Sequence, residues 1–152
     1  MKIMCNRPYE NWVVDAMAQD YSDNSRHEVL HAFTNRSDLE SCDLFWWYGT
    51  AQLLNLQDEN IEFYIKLVKE KKVVRTIHHF VPWKFDEQAY QEFMFADEVV
   101  DVYHTYTEDT AVNISSLSQK PVKIIPHWFN EKKWYPLDRD ECREDLNSIA
   151  KS

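Results

Sequence analysis

The stretch VVRTIHHFVPWKFDEQAYQEFMFADEVVDVYHTYTEDTAVNISSLSQKPVKIIP, Val73 to Pro126, decides the fold. It opens on a β-branched run, Val73 to Phe80, and passes into a pattern that sets Ala89, Phe93 and Ala96 on one helical face. A second apolar run at Val99 to Tyr103 follows, then a shorter helical pattern through Leu117, then a third run at Val122 to Pro126. Strand-like runs separated by helix-period segments of this length are too far apart for hairpins and read as parallel strands with helical crossovers. The helix starts agree with the periodicity. Asp86 precedes the first helix as an N-cap, and Thr107 precedes the second, with Glu108 and Asp109 in its first turn.

The same alternation extends upstream. Lys2 to Cys5, His27 to Phe33 and Cys42 to Tyr48 read as strands, while Val13, Ala16, Met17 and Tyr21 share a helical face. Ile61, Tyr64, Ile65 and Val68 repeat that face in a helix capped by Asp58 and closed by Lys69, Lys71 and Lys72. The predicted fold is therefore α/β: a three-layer, Rossmann-like, mostly parallel sheet of about six strands with helices on both faces. One link is short. Only Thr34 to Ser41 separates the second and third strands, which calls for a single helical turn or a locally antiparallel pair. Beyond Pro136 the chain turns polar, and Asp138 with Glu141 makes a capping-box pattern ahead of Cys142, Leu146 and Ile149.

Composition bounds the function. At 152 residues the chain has the length of one domain, and 17 Lys plus Arg against 26 Asp plus Glu leave a net charge of −9. That balance repels a phosphate backbone, so nucleic acid is not an expected partner. No apolar run approaches the roughly 20 residues of a transmembrane segment, and the start MKIMCNRP lacks a signal core, so the sequence reads as cytoplasmic. Cys5, Cys42 and Cys142 are odd in number and widely spaced, as reduced structural thiols are. The sequons at Asn35 and Asn113 carry no meaning without a secretory route. Gly49 is the single glycine, which excludes a P-loop and a GxGxxG fingerprint, since both need several residues without a Cβ. No cofactor is expected.

Polar and aromatic residues collect at the carboxyl ends of the predicted strands, the edge where open parallel sheets bind ligands. They are Asn6 and Arg7, Tyr48 with Gly49 and Thr50, and His78 with His79. His104, Thr105, Tyr106 and Thr107 follow, then His127, Trp128 and Asn130. Rings beside neutral hydrogen-bonding groups suit sugars, whose C–H faces pack on rings and whose hydroxyls both donate and accept.

A competing motif is HEVLH, His27 to His31, which matches H-E-x-x-H. On a helix it would place two imidazoles on zinc with Glu28 as general base, making the chain a zinc hydrolase. Its context is that of a strand, which would turn Glu28 away from both histidines, and no further HxxGxxH ligand follows.

The passage ADEVVDVYHTYTEDTAVNISSLSQKPVKIIPHWFNEKKWYPLDRDECREDLN, Ala96 to Asn147, resembles the segment that joins the two domains of GT-B glycosyltransferases of family four, the group 1 enzymes. Ala96-Asp97 opens it, Val122 to Pro126 supplies the strand, Asn130 stands near the family's Asp, and Tyr135-Pro136 stands for its Phe-x-Pro. RTIHHFVPW, Arg75 to Trp83, resembles the family's strand ending in a histidine, with His78 at that position and His79 in place of Asp. CDLFWWYG, Cys42 to Gly49, resembles its Asp-led third strand. NRPYENW replaces the glycine-rich loop after the first strand, and His127-Trp128 replaces the glycine after Ile-Pro.

The resemblance implies that residues 1–137 are the N-terminal, acceptor-side domain and that 138–152 are the linker and first helix of a C-terminal domain that is missing here. It implies transfer of a hexosyl group from a sugar nucleotide, held mainly by that second domain, to a glycosyl acceptor. The isolated chain would then be inactive, and its exposed docking face would favour a homodimer. His78 takes the catalytic position. Asn6, Arg7, Tyr48, Gly49, His79, Thr105 and His127 would line the substrate. A stand-alone α/β ligand-binding module without catalysis is the alternative.

Overall fold

The computed structural model describes residues 1–6, 13–31, 40–48, 66 and 69–126. In chain order the elements are β1 (Lys2–Asn6), α1 (Val13–Asn24), β2 (Glu28–His31), β3 (Leu44–Tyr48) and β4 (Lys72–Thr76). A 3-10 turn (Pro82–Lys84), α2 (Glu87–Val99), β5 (Val102–Thr105), α3 (Glu108–Ser115) and β6 (Val122–Ile124) complete the described part. The strands form one sheet in the order β2-β1-β3-β4-β5-β6, and every pair is parallel. The chain thus winds from β1 out to β2, returns past β1, and continues outward from β3. This reversal makes the carboxyl ends of β1 and β3 the switch point of the sheet, where an α/β crevice opens.

Alternation along the strands divides the core into two layers. Ile3, Cys5, Trp46 and Tyr48 pack with Ala18, Met17 and Tyr21 of α1. Met4, Phe45, Trp47, Val73 and Tyr103 pack with Phe93, Ala96 and Val99 of α2 and Ile114 of α3. Helices therefore cover both faces. The two adjacent tryptophans serve opposite layers: the Trp46 ring meets Tyr21 edge-on at 4.8 Å, and Trp47 joins the α2 side.

Two aspartates set register at the amino edge. The Lys2 N–H donates to Asp43 Oδ2 at 2.7 Å while Asp43 N–H donates to the Lys2 carbonyl at 2.8 Å. Asp101 repeats the arrangement with Val73, at 2.8 and 2.9 Å. Each clamp forms where a carboxylate precedes a strand and meets the first residues of its neighbour. The caps expected at Asp86 and Thr107 are present, with Asp86 Oδ1 accepting from Ala89 N–H at 2.8 Å and Thr107 Oγ1 from Thr110 N–H at 3.3 Å.

Several boundaries differ from the sequence reading. β2 and β3 do not pair with each other, so no antiparallel pair forms: their connection crosses β1, and Glu40 and Ser41 are helical. Val99 belongs to α2 and Val100 caps it, because Phe93, Ala96 and Val99 continue one buried stripe that outweighs the β preference of valine. β5 accordingly starts at Val102 and runs on to Thr105. β4 ends at Thr76, short of Phe80, since Phe80 turns inward onto Phe85 and Phe93, at 5.1 and 4.8 Å between rings. Asn113 Nδ2 then holds the Phe80 carbonyl at 3.0 Å. Lys72 opens β4 instead of closing a helix. The stripe Ile61 to Val68, its cap Asp58, and the boundary and helix expected at 138–152 lie outside the described residues. Among the described residues no helix is long and apolar enough to cross a membrane.

Candidate functional site

Beside the switch point, the carboxyl ends of β3, β4 and β5 bring four rings together. Tyr48, the last residue of β3, is fully buried, and its hydroxyl lies 3.0 Å from that of Tyr106, just beyond β5. The His78 ring, two residues past β4, stands against both phenols, at 5.3 Å from Tyr48 and 4.9 Å from Tyr106. The His104 ring meets Tyr106 edge-on at 4.8 Å. Such offset and edge contacts are worth about 0.5–1.5 kcal/mol each beyond buried area, so the rings hold one another in place by packing.

A buried polar chain supports it from below. Trp46 Nε1–H donates to Thr76 Oγ1 at 2.8 Å, Thr76 Oγ1 lies 2.9 Å from His104 Nδ1, and His104 Nε2 lies 3.2 Å from the Ile125 carbonyl. A carbonyl only accepts, so in the neutral ring Nε2 carries the proton and Nδ1 accepts from the Thr76 hydroxyl. The threonine oxygen is then left to accept from the indole. Each member has a single role, and that fixes the orientation of the His104 ring on which Tyr106 rests. Burial keeps both phenols protonated: it pushes Tyr106 up to about 12 and Tyr48 higher still.

Of the residues singled out by sequence, Tyr48 and His78 are in ring contact. His79 is exposed beside them on the loop after β4. Thr105 is fully buried, and alternation turns it to the α2 side with Tyr103, away from the rings. Asn6 ends β1 at the switch point. Arg7, Gly49 and His127 lie outside the described residues. Thr76, His104, Tyr106 and Trp46 complete the site. His104 and Tyr106 were legible as rim residues at a strand end, but nothing local in the sequence links Trp46 to Thr76, thirty positions later.

The HEVLH segment has no helical geometry. Glu28–His31 is β2, paired along β1, with Glu28 at its exposed start. Among the described residues no group of three or more His, Cys, Asp or Glu is placed to hold a metal ion.

A second polar chain lies on the other face. The Arg75 guanidinium stacks over Trp47 at 3.8 Å and hydrogen-bonds the Tyr103 phenol, which donates to Asp97 Oδ1 at 2.9 Å. Ser118 Oγ donates to the same carboxylate oxygen at 2.6 Å. Burial pulls the guanidinium below its ordinary value, while Tyr103 and Asp97 oppose the shift. Asp97 lies near the carboxyl end of α2, at the sheet's amino edge, so this chain ties α2 to the sheet and does not face the ring cluster.

Comparison with protein-family models, with curated proteins and with solved structures finds no significant match.

Proposed function

We propose that this chain is the acceptor-side domain of a GT-B glycosyltransferase and that half-buried His78, backed by the buried phenols of Tyr48 and Tyr106, is the sugar-binding group at its ligand edge. The observation that carries the reading is the His78 ring set against two hydrogen-bonded phenols beside the switch point. Ring faces and edges pack against the C–H surface of a pyranose, and an imidazole both donates to and accepts from its hydroxyls. The resemblance of Arg75 to Trp83 places His78 at the same strand end from sequence alone. His78 would orient a sugar hydroxyl during hexosyl transfer, and the sugar nucleotide would be held mainly by a second domain.

Saturation-transfer NMR on the full chain with neutral hexoses and with nucleotide sugars tests this. His78→Phe, which keeps a ring against both phenols, should reduce the sugar signal at least about fivefold, the loss of one or two neutral hydrogen bonds, while leaving the melting temperature nearly unchanged. Equal losses of fold and binding would return His78 to a packing role, and no sugar signal from the unaltered chain would end the proposal. Robust hexosyl transfer by the chain alone would refute the division of labour between two domains.

A further inference from the structure

We infer that Arg75 and Thr105 form a receptor for a small oxyanion, a carboxylate or a phosphoryl group, on the α2 face of the sheet near the carboxyl ends of β4 and β5. The site lies on the face opposite the His104 ring and stands independently of the sugar reading. Register sets Trp47, Arg75 and Tyr103 side by side across β3, β4 and β5. The Trp47 ring covers one face of the guanidinium at 3.8 Å, and the Tyr103 phenol accepts from one of its N–H groups. Nε and Nη1 are left over. They carry three of the five N–H donors of an arginine, they are shut off from solvent, and they have no hydrogen-bond partner among the described residues. Nor does Arg75 form an ion pair with a carboxylate among the described residues, since Asp97 is reached only through the Tyr103 phenol.

A second polar atom on the same face is stranded too. Thr105, two residues beyond Tyr103, is fully buried, and its Oγ1 has no hydrogen-bond partner among the described residues. Because Arg75 pairs with Tyr103 and Thr76 with His104, Thr105 stands one diagonal step from Arg75, about 8 Å between Cα atoms. An oxyanion set between them accepts from the guanidinium and from the hydroxyl at once. Charged donors left unpaired in the interior cost more than neutral ones, and a guanidinium bonds an oxyanion about twice as strongly as neutral groups bond each other. Water satisfies donors but does not bring the opposite charge that a buried cation calls for. The ligand is therefore an anion with acceptor oxygens, small enough to lie in the guanidinium plane, because Trp47 takes one of its faces. Arg75 as a whole residue keeps some solvent exposure, which gives a small ion a route to it.

Thermal melts of the full chain in sodium chloride, acetate, phosphate and sulfate, at one ionic strength and neutral pH, test this with the Arg75 Nε–H resonance as the local readout. At least one oxyanion should raise Tm by about 3 °C or more over chloride, the shift given by a ligand at about five times its Kd, and should move the Nε–H signal to saturation. A response to acetate identifies a carboxylate site, and a response to phosphate or sulfate alone identifies a phosphoryl site. Arg75→Met reports the general salting effect of the same anions and should lose the excess over chloride. Thr105→Val removes a hydroxyl that has no partner, so it should keep the parent's Tm in chloride while binding the anion about fivefold more weakly. If Arg75→Met does not fold, the Nε–H titration and Thr105→Val decide. An Nε–H signal that no oxyanion moves, an equal excess in Arg75→Met, or an affinity of Thr105→Val within about twofold of the parent overturns the inference and leaves the sugar reading as it was.

Discussion

Thr76→Val is the sharpest probe of the support beneath the site. Valine matches threonine in shape but withdraws the hydroxyl that the Trp46 indole donates to at 2.8 Å and that lies 2.9 Å from His104 Nδ1. Thr76 is fully buried, and Trp46 and His104 are 7% exposed, so water cannot replace the lost oxygen without opening the core. Stripping partners from two buried polar groups costs about 1–3 kcal/mol each, and the better burial of a methyl group offsets part of it. The expected net loss is about 2–4 kcal/mol, which for a domain of this size lowers the melting temperature by about 5–15 °C. Thr76→Ser keeps the hydroxyl and should lose only about 1 kcal/mol, for the missing methyl. Urea unfolding and thermal melts of the three proteins read the difference directly. In the unaltered protein, nitrogen-15 spectra should place the His104 proton on Nε2, and the valine variant should lose sugar signal as the ring tilts. Thr76→Val within about 0.5 kcal/mol of the parent, or Thr76→Ser as damaging as valine, would refute the buried chain as a source of stability.

Further outcomes follow from the other buried groups. Tyr106 ionises near pH 10 in the unfolded chain and at about 12 when folded, so its contribution is full below pH 10 and is lost as pH rises toward 12. That loss is on the order of 3 kcal/mol, so absorbance at alkaline pH should show phenolate appearing together with unfolding, and phenolate formed by Tyr106 at pH 10 in a folded chain would contradict it. Tyr103→Phe removes the phenol that bridges Arg75 and Asp97 and should cost about 2–4 kcal/mol in denaturant unfolding. A loss below about 0.5 kcal/mol would mean that the stack on Trp47 alone holds the guanidinium.

Much of the fold was legible because it depends on local pattern. Asp86 and Thr107 announce helix starts through side chains that satisfy backbone N–H groups three residues on, an interaction wholly contained in a short window. The stripe Ala89, Phe93, Ala96 exposes its period in the same way. Failures came where a distant contact outweighed local preference. Val99 reads as strand by its β-branching, yet its burial beside Phe93 and Ala96 keeps it helical. The HHF end of the fourth strand run leaves the ladder because Phe80 finds Phe85, Phe93 and the Asn113 amide.

The site divides along the same line. Alternation of strands and helices, with His78, Tyr48 and the His104 to Tyr106 run at strand ends, determined that the edge of a parallel sheet carries rings and imidazoles. The acidic balance and the single glycine determined that no glycine-rich phosphate loop lies there. Tertiary structure alone decided that the strand order reverses between β1 and β3, since crossover direction depends on how whole elements pack. It also decided that Tyr48 meets Tyr106, that Trp46 reaches Thr76, and that Thr105 turns away while His104 turns in. Those pairings depend on register between strands distant in the chain, and register is set by the clamps of Asp43 and Asp101 and by a core that only the assembled sheet possesses.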